Sequence, residues 1–183
     1  MRDWEELRSA CEACTACDLH KTRTNCVFGS GSPTARVMFI GEAPGEKEDL
    51  SGKPFVGAAG RMLDSFFDAV GISREDIYIS NILKCRPPYN RDPLPIEQDM
   101  CIKYLYEQIR LISPKIIVCL GRIAAQKLIT PNFKITVDHG KWFRKDPYLI
   151  TAVYHPALLL RDPRKKEDML TDLKAIKDLL DKT

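Results

Sequence analysis

The sequence lacks the features typical of membrane and secreted proteins. Its 183 residues contain no apolar run long enough to cross a bilayer. The first six residues include three acidic side chains and no apolar stretch of the kind found in secretory signals. Repeats, low-complexity tracts and flexible linkers are also missing, and a composition with 44% hydrophobic and 29% charged residues excludes a disordered or fibrous chain. We therefore expect a cytoplasmic globular protein with no membrane association.

A strong excess of charge of one sign is missing as well. The chain has 28 Lys and Arg residues against 25 Asp and Glu residues, a net charge of +3. This total does not identify a nucleic-acid-binding protein, so an argument for such a partner has to come from local basic segments. The length is that of one domain with its own core, and we expect a single domain over residues 1–183 with an N-terminal arm, residues 1–32, lying across it.

Short β-branched apolar runs alternate with helical patterns along the chain. Continuous apolar runs predict strands buried on both faces, and strands that alternate with helices predict an α/β domain with a largely parallel sheet covered on both sides. A hairpin is also predicted over residues 135–142, around His139 and Gly140. The predicted strands are residues 37–40, 77–79, 116–120 and 149–153, and the predicted helices are residues 58–70, 96–111, 122–129 and 165–180.

The loops after the four strands are the places to look for a site, because ligands of open α/β sheets bind outside the carboxyl ends of the strands. These loops are residues 41–45, 81–95, 121–122 and 155–156. The first loop has neither the glycine spacing nor the Gly-Lys-Ser/Thr ending of a phosphate-binding loop. Each loop feature on its own is weak, but four at one sheet edge together predict a ligand site.

Seven cysteines stand out in a chain expected in a reducing compartment, where metal ligation or redox chemistry is more common than disulfides. Cys11, Cys14 and Cys17 are spaced C-x2-C-x2-C, and Cys85 and Cys101 lie far downstream. Four cysteines suit a [4Fe–4S] cluster or a structural zinc, and the spacing favours the cluster because zinc sites usually have two close pairs. Spacing alone does not decide between Cys11 and its neighbours.

The remaining two cysteines have simpler interpretations. Cys119 lies inside the apolar run 116–120, and Cys26 has no partner at a ligand spacing. Both are predicted to be small buried apolar side chains.

Four segments resemble those of the family 4 uracil-DNA glycosylases. They are residues 41–49, 52–60, 81–91 and 155–161, joined by the Cys14–Cys17 element, so the resemblance covers almost the whole chain. It implies a three-layer α/β/α sandwich around a four-stranded parallel sheet. It also implies a DNA-repair enzyme that hydrolyses the N-glycosidic bond of deoxyuridine in DNA and releases uracil.

The resemblance assigns roles to residues in these loops. Phe55 matches the aromatic residue that stacks on the flipped uracil, and Asn81 matches the amide that reads its Watson–Crick edge. His155 matches the histidine that donates to uracil O2, and Glu42 matches the glutamate that positions the attacking water. The further pocket-lining positions are Gly41, Ala43 and Glu48.

The resemblance also implies a cofactor, and local charge predicts a DNA surface. Cys14, Cys17, Cys85 and Cys101 match the four ligands of a [4Fe–4S] cluster, which sets Cys11 aside. Two basic groups flank the predicted site and are expected to contact the DNA backbone of a uracil-containing single or double strand. Their expected DNA contacts are Lys84, Arg86, Arg91 and Arg161. We expect the enzyme to act as a monomer.

Two departures from related proteins matter. Ala43 stands where the best-known branch of the superfamily has an aspartate, so water activation rests on Glu42. The arginine-rich insertion of a cross-linking subgroup is absent from residues 84–88, so we expect turnover and not a covalent DNA adduct. Two alternatives remain open: a non-catalytic iron–sulfur protein that binds nucleic acid, and the same fold with zinc in place of the cluster. Residues 158–160 are expected either to wedge into the duplex or to pack beneath their loop.

Overall fold

A six-stranded sheet forms the centre of the molecule. The computed structural model describes residues 3–183. The strand order is β1-β3-β2-β4-β6-β5, in which the four inner strands are parallel and the two edge strands are antiparallel to their neighbours. The strands are β1 (Ser30–Gly31), β2 (Val37–Gly41), β3 (Tyr78–Asn81), β4 (Ile116–Leu120), β5 (Phe143–Lys145) and β6 (Tyr148–Val153).

The prediction of a four-stranded sheet is therefore wrong in strand number but right for the parallel centre. The two edge strands have two and three residues, and most of their side chains reach solvent. Segments that are this short and this polar carry no apolar pattern. The prediction of a hairpin over residues 135–142 is also wrong, because residues 135–138 form a helical turn and the hairpin joins β5 to β6.

Helices cover both faces of the sheet and confirm the three-layer α/β/α sandwich. One layer packs α3 and α8 on side chains such as Phe39 and Val118, and the other packs α4 and α5 on side chains such as Met38 and Ile117. The helices are α1 (Trp4–Glu12), α2 (Glu46–Ser51), α3 (Ala58–Val70), α4 (Pro95–Ile112), α5 (Arg122–Leu128), α6 (Ile135–Asp138), α7 (Pro156–Arg161) and α8 (Lys166–Lys182).

The N-terminal segment packs on the α4 side of the molecule. Asp3 caps α1, and its side chain accepts a hydrogen bond from the Glu6 amide at 2.9 Å while the Glu6 carboxylate accepts one from the Asp3 amide at 3.2 Å. This reciprocal pair is a capping box. The Trp4 ring lies 5.3 Å from the Phe28 ring and 5.4 Å from the Tyr78 ring, both edge-on. The segment is thereby anchored to the sheet at β3.

None of the helices within residues 3–183 combines the length and the apolar character needed to cross a membrane. The feature of the fold that matters for function is the edge where the parallel strands end. The carboxyl ends of β2, β3, β4 and β6 lie side by side there, in register from Gly41 and Asn81 to Leu120 and Val153.

Candidate functional site

An open cleft lies at the carboxyl ends of the parallel strands. Its volume is about 1890 Å³ including the open mouth. The predicted site residues Glu42, Phe55, Asn81 and His155 all line it. They are separated by up to 113 positions in the chain. The parallel sheet brings Glu42, Asn81 and His155 together because each lies at the carboxyl end of a strand, and Phe55 reaches the cleft from the loop between α2 and α3.

Asn81 is the last residue of β3 and is buried at the bottom of the cleft. It is 2% exposed, and its Oδ1 is one of two buried side-chain polar atoms within residues 3–183 that have no hydrogen-bond partner. An unsatisfied buried acceptor is unfavourable by about 1–3 kcal/mol. This carbonyl is therefore available for a hydrogen-bond donor brought in by a ligand.

Gly41, the last residue of β2, is what allows Asn81 and Phe55 to meet. A Cβ at position 41 would lie 2.5 Å from Asn81 Oδ1 and 2.7 Å from Phe55 Cζ. Any side chain there would push one of the two groups away. The predicted pocket position of Gly41 thus has a steric reason.

Phe55 lies in the left-handed backbone region, at φ 51°. This conformation is unfavourable for a bulky residue and persists only where the surroundings hold it. The Arg74 guanidinium donates a 2.6 Å hydrogen bond to the Phe55 carbonyl and also pairs with Asp64. Gly60 permits the close approach, since a Cβ there would be 2.0 Å from the Phe55 carbonyl oxygen. Arg74 was not found by sequence analysis, because nothing in its turn marks it as a partner of residue 55.

The His155 imidazole faces Phe55 across the cleft, with the ring centroids 5.8 Å apart. Its Nδ1 accepts a 3.1 Å hydrogen bond from the Ala157 amide and caps α7. A backbone amide only donates, so the ring proton of the neutral imidazole is on Nε2. Burial, together with the nearby positive charge of Arg161, lowers the pKa of His155 to about 4. The ring is thus a neutral donor at pH 7.

The absence of a side chain at Gly121 leaves space for His155. Gly121 follows β4 at φ 92°, and a Cβ there would lie 2.8 Å from the Cβ of His155. A side chain at residue 121 would require both backbone strain and displacement of the histidine.

Glu42 follows β2 directly and is half-buried at the wall of the cleft. Burial raises the pKa of Glu42, and Asp92 raises it further, whereas Arg122 and Arg161 lower it. Its own backbone carbonyl accepts a 2.9 Å hydrogen bond from the Leu83 amide, which fixes the strand end. A carboxylate whose pKa is raised in this way is suited to accept a proton.

The other two predicted pocket residues also line the cleft. Glu48 projects from α2 towards the loop before α3, and its Oε2 would lie 3.3 Å from a Cβ at Gly45. Ala43 lines the cleft on one side and on the other packs against the group of buried side chains that contains the cysteines.

Five cysteines line a second cavity, of about 350 Å³ including its mouth: Cys11, Cys14, Cys17, Cys85 and Cys101. Arg23 donates to Cys85 Sγ at 3.2 Å, and the Lys84 amide donates to Cys101 Sγ at 3.3 Å. Within residues 3–183 no three Cys, His, Asp or Glu side chains converge as ligands of a single ion. The cysteines thus surround a space instead of pointing at one atom.

The prediction that Lys84 contacts DNA is wrong. Lys84 is 1% exposed, and its Nζ donates to Ser80 Oγ and, at 2.7 Å, to Gln108 Oε1. The side chain points into the protein beside the cysteines and reaches no surface on which a DNA backbone could lie. The prediction of exposure came from its place in the same loop as the cations Arg86 and Arg91.

The other predicted DNA contacts lie near the mouth of the cleft. Arg161 is exposed and lines the cleft from α7. Arg91 also lines it but forms a double hydrogen bond with the carboxylate of Glu97, at 2.6 and 3.0 Å. Arg86 is half-buried and donates to Asn90 Oδ1 at 2.7 Å. Arg122 lies in the predicted site loop after strand β4 but was not among the predicted DNA contacts, and it adds a further cation to the cleft wall.

The leucines after His155 differ in exposure. Leu159 is fully buried in the core, Leu158 lines the cleft, and Leu160 is 46% exposed. Leu159 therefore packs beneath the loop, and only its two neighbours are placed where a wedge residue could act.

Comparison with known proteins bears on this cleft. Residues 28–179 match the family model described as the Uracil DNA glycosylase superfamily. The chain is 44% identical over 190 aligned residues to the Type-4 uracil-DNA glycosylase of Archaeoglobus fulgidus, covering 100% of this chain and 96% of that protein. It is 41% identical to the Type-4 uracil-DNA glycosylase of Sulfurisphaera tokodaii, covering 98% and 86%, and 42% identical to that of Thermotoga maritima, covering 92% and 90%.

Proposed function

The chain belongs to the uracil-DNA glycosylase superfamily, and from this premise we propose that it excises uracil from DNA as a base-excision-repair hydrolase. The observation that carries the proposal is the unsatisfied, buried Oδ1 of Asn81 beside the Phe55 ring and opposite a neutral His155. These three groups match the chemistry of a flat imide base. The N-glycosidic bond is inaccessible in the base stack, so the uridine has to be extruded into the cleft.

Recognition of uracil rests on Asn81 and Phe55. The Asn81 carbonyl accepts from uracil N3–H, and its amide group donates to uracil O4. Cytosine presents an acceptor at N3 and a donor at N4, so the same amide faces two mismatched groups. A site built to hydrogen-bond one edge discriminates strongly against an edge that leaves its buried groups unpaired. The Phe55 ring stacks on the face of the base.

Bond cleavage rests on His155 and Glu42. The C1′–N1 bond breaks with its electron pair going to uracil, and the Nε2–H of His155 donates to the negative charge that develops on O2. Glu42 orients a water molecule towards C1′ and takes its proton as the new C1′–O bond forms. The uracil anion is protonated after departure. The products are free uracil and an abasic site.

A [4Fe–4S] cluster fits the cysteine-lined cavity, and the proposed ligands are Cys14, Cys17, Cys85 and Cys101. Four sulfurs around an open space suit a polynuclear group better than a single zinc ion, whose ligands converge at about 2.3 Å. The amide and guanidinium donors to Cys101 and Cys85 are the kind of hydrogen bonds that stabilise ligating thiolates. Burial raises the pKa of Cys101 to about 11, and metal binding would displace the thiol proton to give the thiolate ligand.

The cluster's proposed contribution is structural. It ties the segment that carries Cys14 and Cys17 to the loop and helix that carry Cys85 and Cys101. We further propose that residues 1–183 act as one glycosylase domain and as a monomer, with the arm 1–32 supplying two ligands. Arg161 and Arg86 are the proposed backbone contacts on uracil-containing DNA, with Arg91 positioned by Glu97.

Uracil release is the test of the proposed function. The protein is incubated with an oligonucleotide carrying one uracil, free uracil is quantified, and abasic sites are detected by strand scission in hot alkali. Matched oligonucleotides with cytosine or thymine at the same position are the controls. Release of uracil alone supports the proposal. Absence of release by protein that retains its iron would overturn it in favour of a non-catalytic iron–sulfur protein that binds nucleic acid.

A further inference from the structure

Tyr89 is the most exposed of the large apolar and aromatic side chains that are described in residues 3–183. It is 96% exposed and lies in the single helical turn Pro88–Asn90 after β3. Pro87, which directly precedes this turn, and Asn90, its last residue, line the cleft. The ring therefore projects from the rim of the cleft into solvent. Tyrosine usually buries most of its ring, so the exposure of Tyr89 at the rim of the cleft indicates a residue that contacts a bound ligand.

The backbone of Tyr89 is in a conformation that disfavours a bulky side chain. Its φ is 57°, and that of Asn90 is 55°. Asparagine tolerates this left-handed region, whereas tyrosine does not. The turn is held by its neighbours: the Asn90 amide donates to the Pro87 carbonyl at 3.1 Å, and Asn90 Oδ1 accepts from Arg86. A glycine at residue 89 would adopt the same turn without strain.

The Tyr89 ring is therefore not buried in the fold, and its side chain is unfavourable for the backbone conformation of the turn. Residues with strained backbone conformations of this kind cluster at functional sites. A ligand that contacts the Tyr89 ring must extend beyond the rim of the cleft. The same cleft is also lined by Leu158 and the exposed Arg161.

We propose that Tyr89 stacks on a nucleobase adjacent to the extruded uridine, an inference that rests on the proposed function. Extrusion of one nucleotide leaves the faces of its neighbours without a stacking partner. An exposed aromatic ring supplies such a face, and this contact does not depend on sequence because every base has a π-face. In this arrangement the cleft binds the extruded uridine, and the Tyr89 ring stacks on the adjacent base, which stays outside the cleft.

The experiment compares Tyr89→Gly, Tyr89→Phe and, as the matched control, Tyr106→Ala. Tyr106 is a second exposed tyrosine, 48% exposed, on α4. Binding is measured by fluorescence anisotropy on an oligonucleotide that carries a stable abasic-site analogue, uracil release is measured in parallel, and the melting temperature of each variant is recorded. A 2-aminopurine base next to the analogue reports stacking directly.

Tyr89→Gly is expected to bind roughly 5- to 150-fold more weakly, the range that base–aromatic stacking supplies. Its KM should rise while kcat changes little, and its melting temperature should equal or exceed that of the wild type because the strain is relieved. Tyr89→Phe and Tyr106→Ala should bind like the wild type. The dependence of binding on salt should be unchanged in all three, since no charge is removed.

Two results would overturn the inference: wild-type affinity and wild-type 2-aminopurine signal in Tyr89→Gly, or a lower melting temperature that accounts for its weaker binding. A structural tyrosine would give the second result. If the wild type releases no uracil and Tyr89→Gly still loses DNA binding, the glycosylase proposal fails and the stacking contact stands. If the wild type releases uracil and Tyr89→Gly behaves identically, only the stacking contact fails.

Discussion

The protonation state of His155 is the most specific prediction that the site makes. The hydrogen bond from the Ala157 amide occupies Nδ1, and burial with the charge of Arg161 lowers the pKa from 6.5 to about 4. This difference corresponds to about 3 kcal/mol against the imidazolium form. Uracil release should therefore show no inflection near pH 6.5, because His155, the proposed donor to uracil O2, stays neutral down to about pH 4.

The same shift has a defined effect on stability. The unfolded chain binds a proton at this histidine below about pH 6.5, whereas the folded chain does so only below about pH 4. The contribution of His155 to the free energy of unfolding is therefore fully present above pH 6.5. It decreases as the pH falls towards 4, by up to about 3 kcal/mol.

His155→Asn is the informative variant, because asparagine keeps the cap on α7 while removing the titratable ring. The chain has three histidines, so the Cε1 proton signal that disappears in this variant identifies His155 in a pH titration by NMR. Its midpoint should be about 4. Single-turnover uracil release by the variant at pH 7.5 should be slower by roughly 10²- to 10³-fold, the usual effect of removing one preorganised donor. A midpoint near 6.5, or release at the wild-type rate, would refute the reasoning.

Three further predictions address the remaining parts of the site. Asn81→Asp should lose selectivity for uracil over cytosine, because the carboxylate cannot donate to uracil O4. Competition between uracil and cytosine oligonucleotides measures this selectivity, and an unchanged preference would show that Asn81 does not read the base. Purified protein should be brown and contain iron and inorganic sulfide, and Cys101→Ser should reduce both; stoichiometric zinc in colourless wild-type protein would contradict the cluster. Arg161→Ala should lower the slope of log affinity for DNA against log salt concentration by about 1. Lys84→Met should leave that slope unchanged, because the Lys84 side chain is buried. A lower slope in Lys84→Met with an unchanged slope in Arg161→Ala would show that Lys84 reaches DNA.

The sequence predicts those parts of the fold that are set by local pattern. The helix at residues 58–70 is predicted with its bounds, because its apolar stripe faces the sheet and Gly71 ends it at φ 76°. The strand ends that carry Asn81 and His155 are predicted to converge because parallel strands end at one edge. These are regular features, in which neighbouring residues already contain the information.

The sequence does not predict contacts between distant residues that have no pattern of their own. Lys84 is buried because Gln108, on another element 24 residues away, accepts its hydrogen bond. Phe55 is held in its unusual conformation by Arg74, 19 residues further along the chain. In both cases a long cationic side chain donates to atoms that lie far away in the sequence, and only the packed structure shows which atoms these are.

The cleft and the cysteine cavity share one short stretch of backbone, which links the proposed base-reading residue Asn81 to the proposed cluster ligand Cys85. Asn81 and Cys85 are separated by three buried residues, 82–84. The amide of residue 83 bonds the Glu42 carbonyl at 2.9 Å, the amide of residue 84 bonds Cys101 Sγ at 3.3 Å, and the carbonyl of residue 84 accepts from Val27 at 2.7 Å. This stretch is held at three points, so under the proposed function a displacement at Cys85 is expected to move the strand end that carries Asn81. Hydrogen-bond selectivity depends on placing donors and acceptors to within a fraction of an ångström. We therefore propose that ligation at Cys85 helps to fix the position of the Asn81 amide.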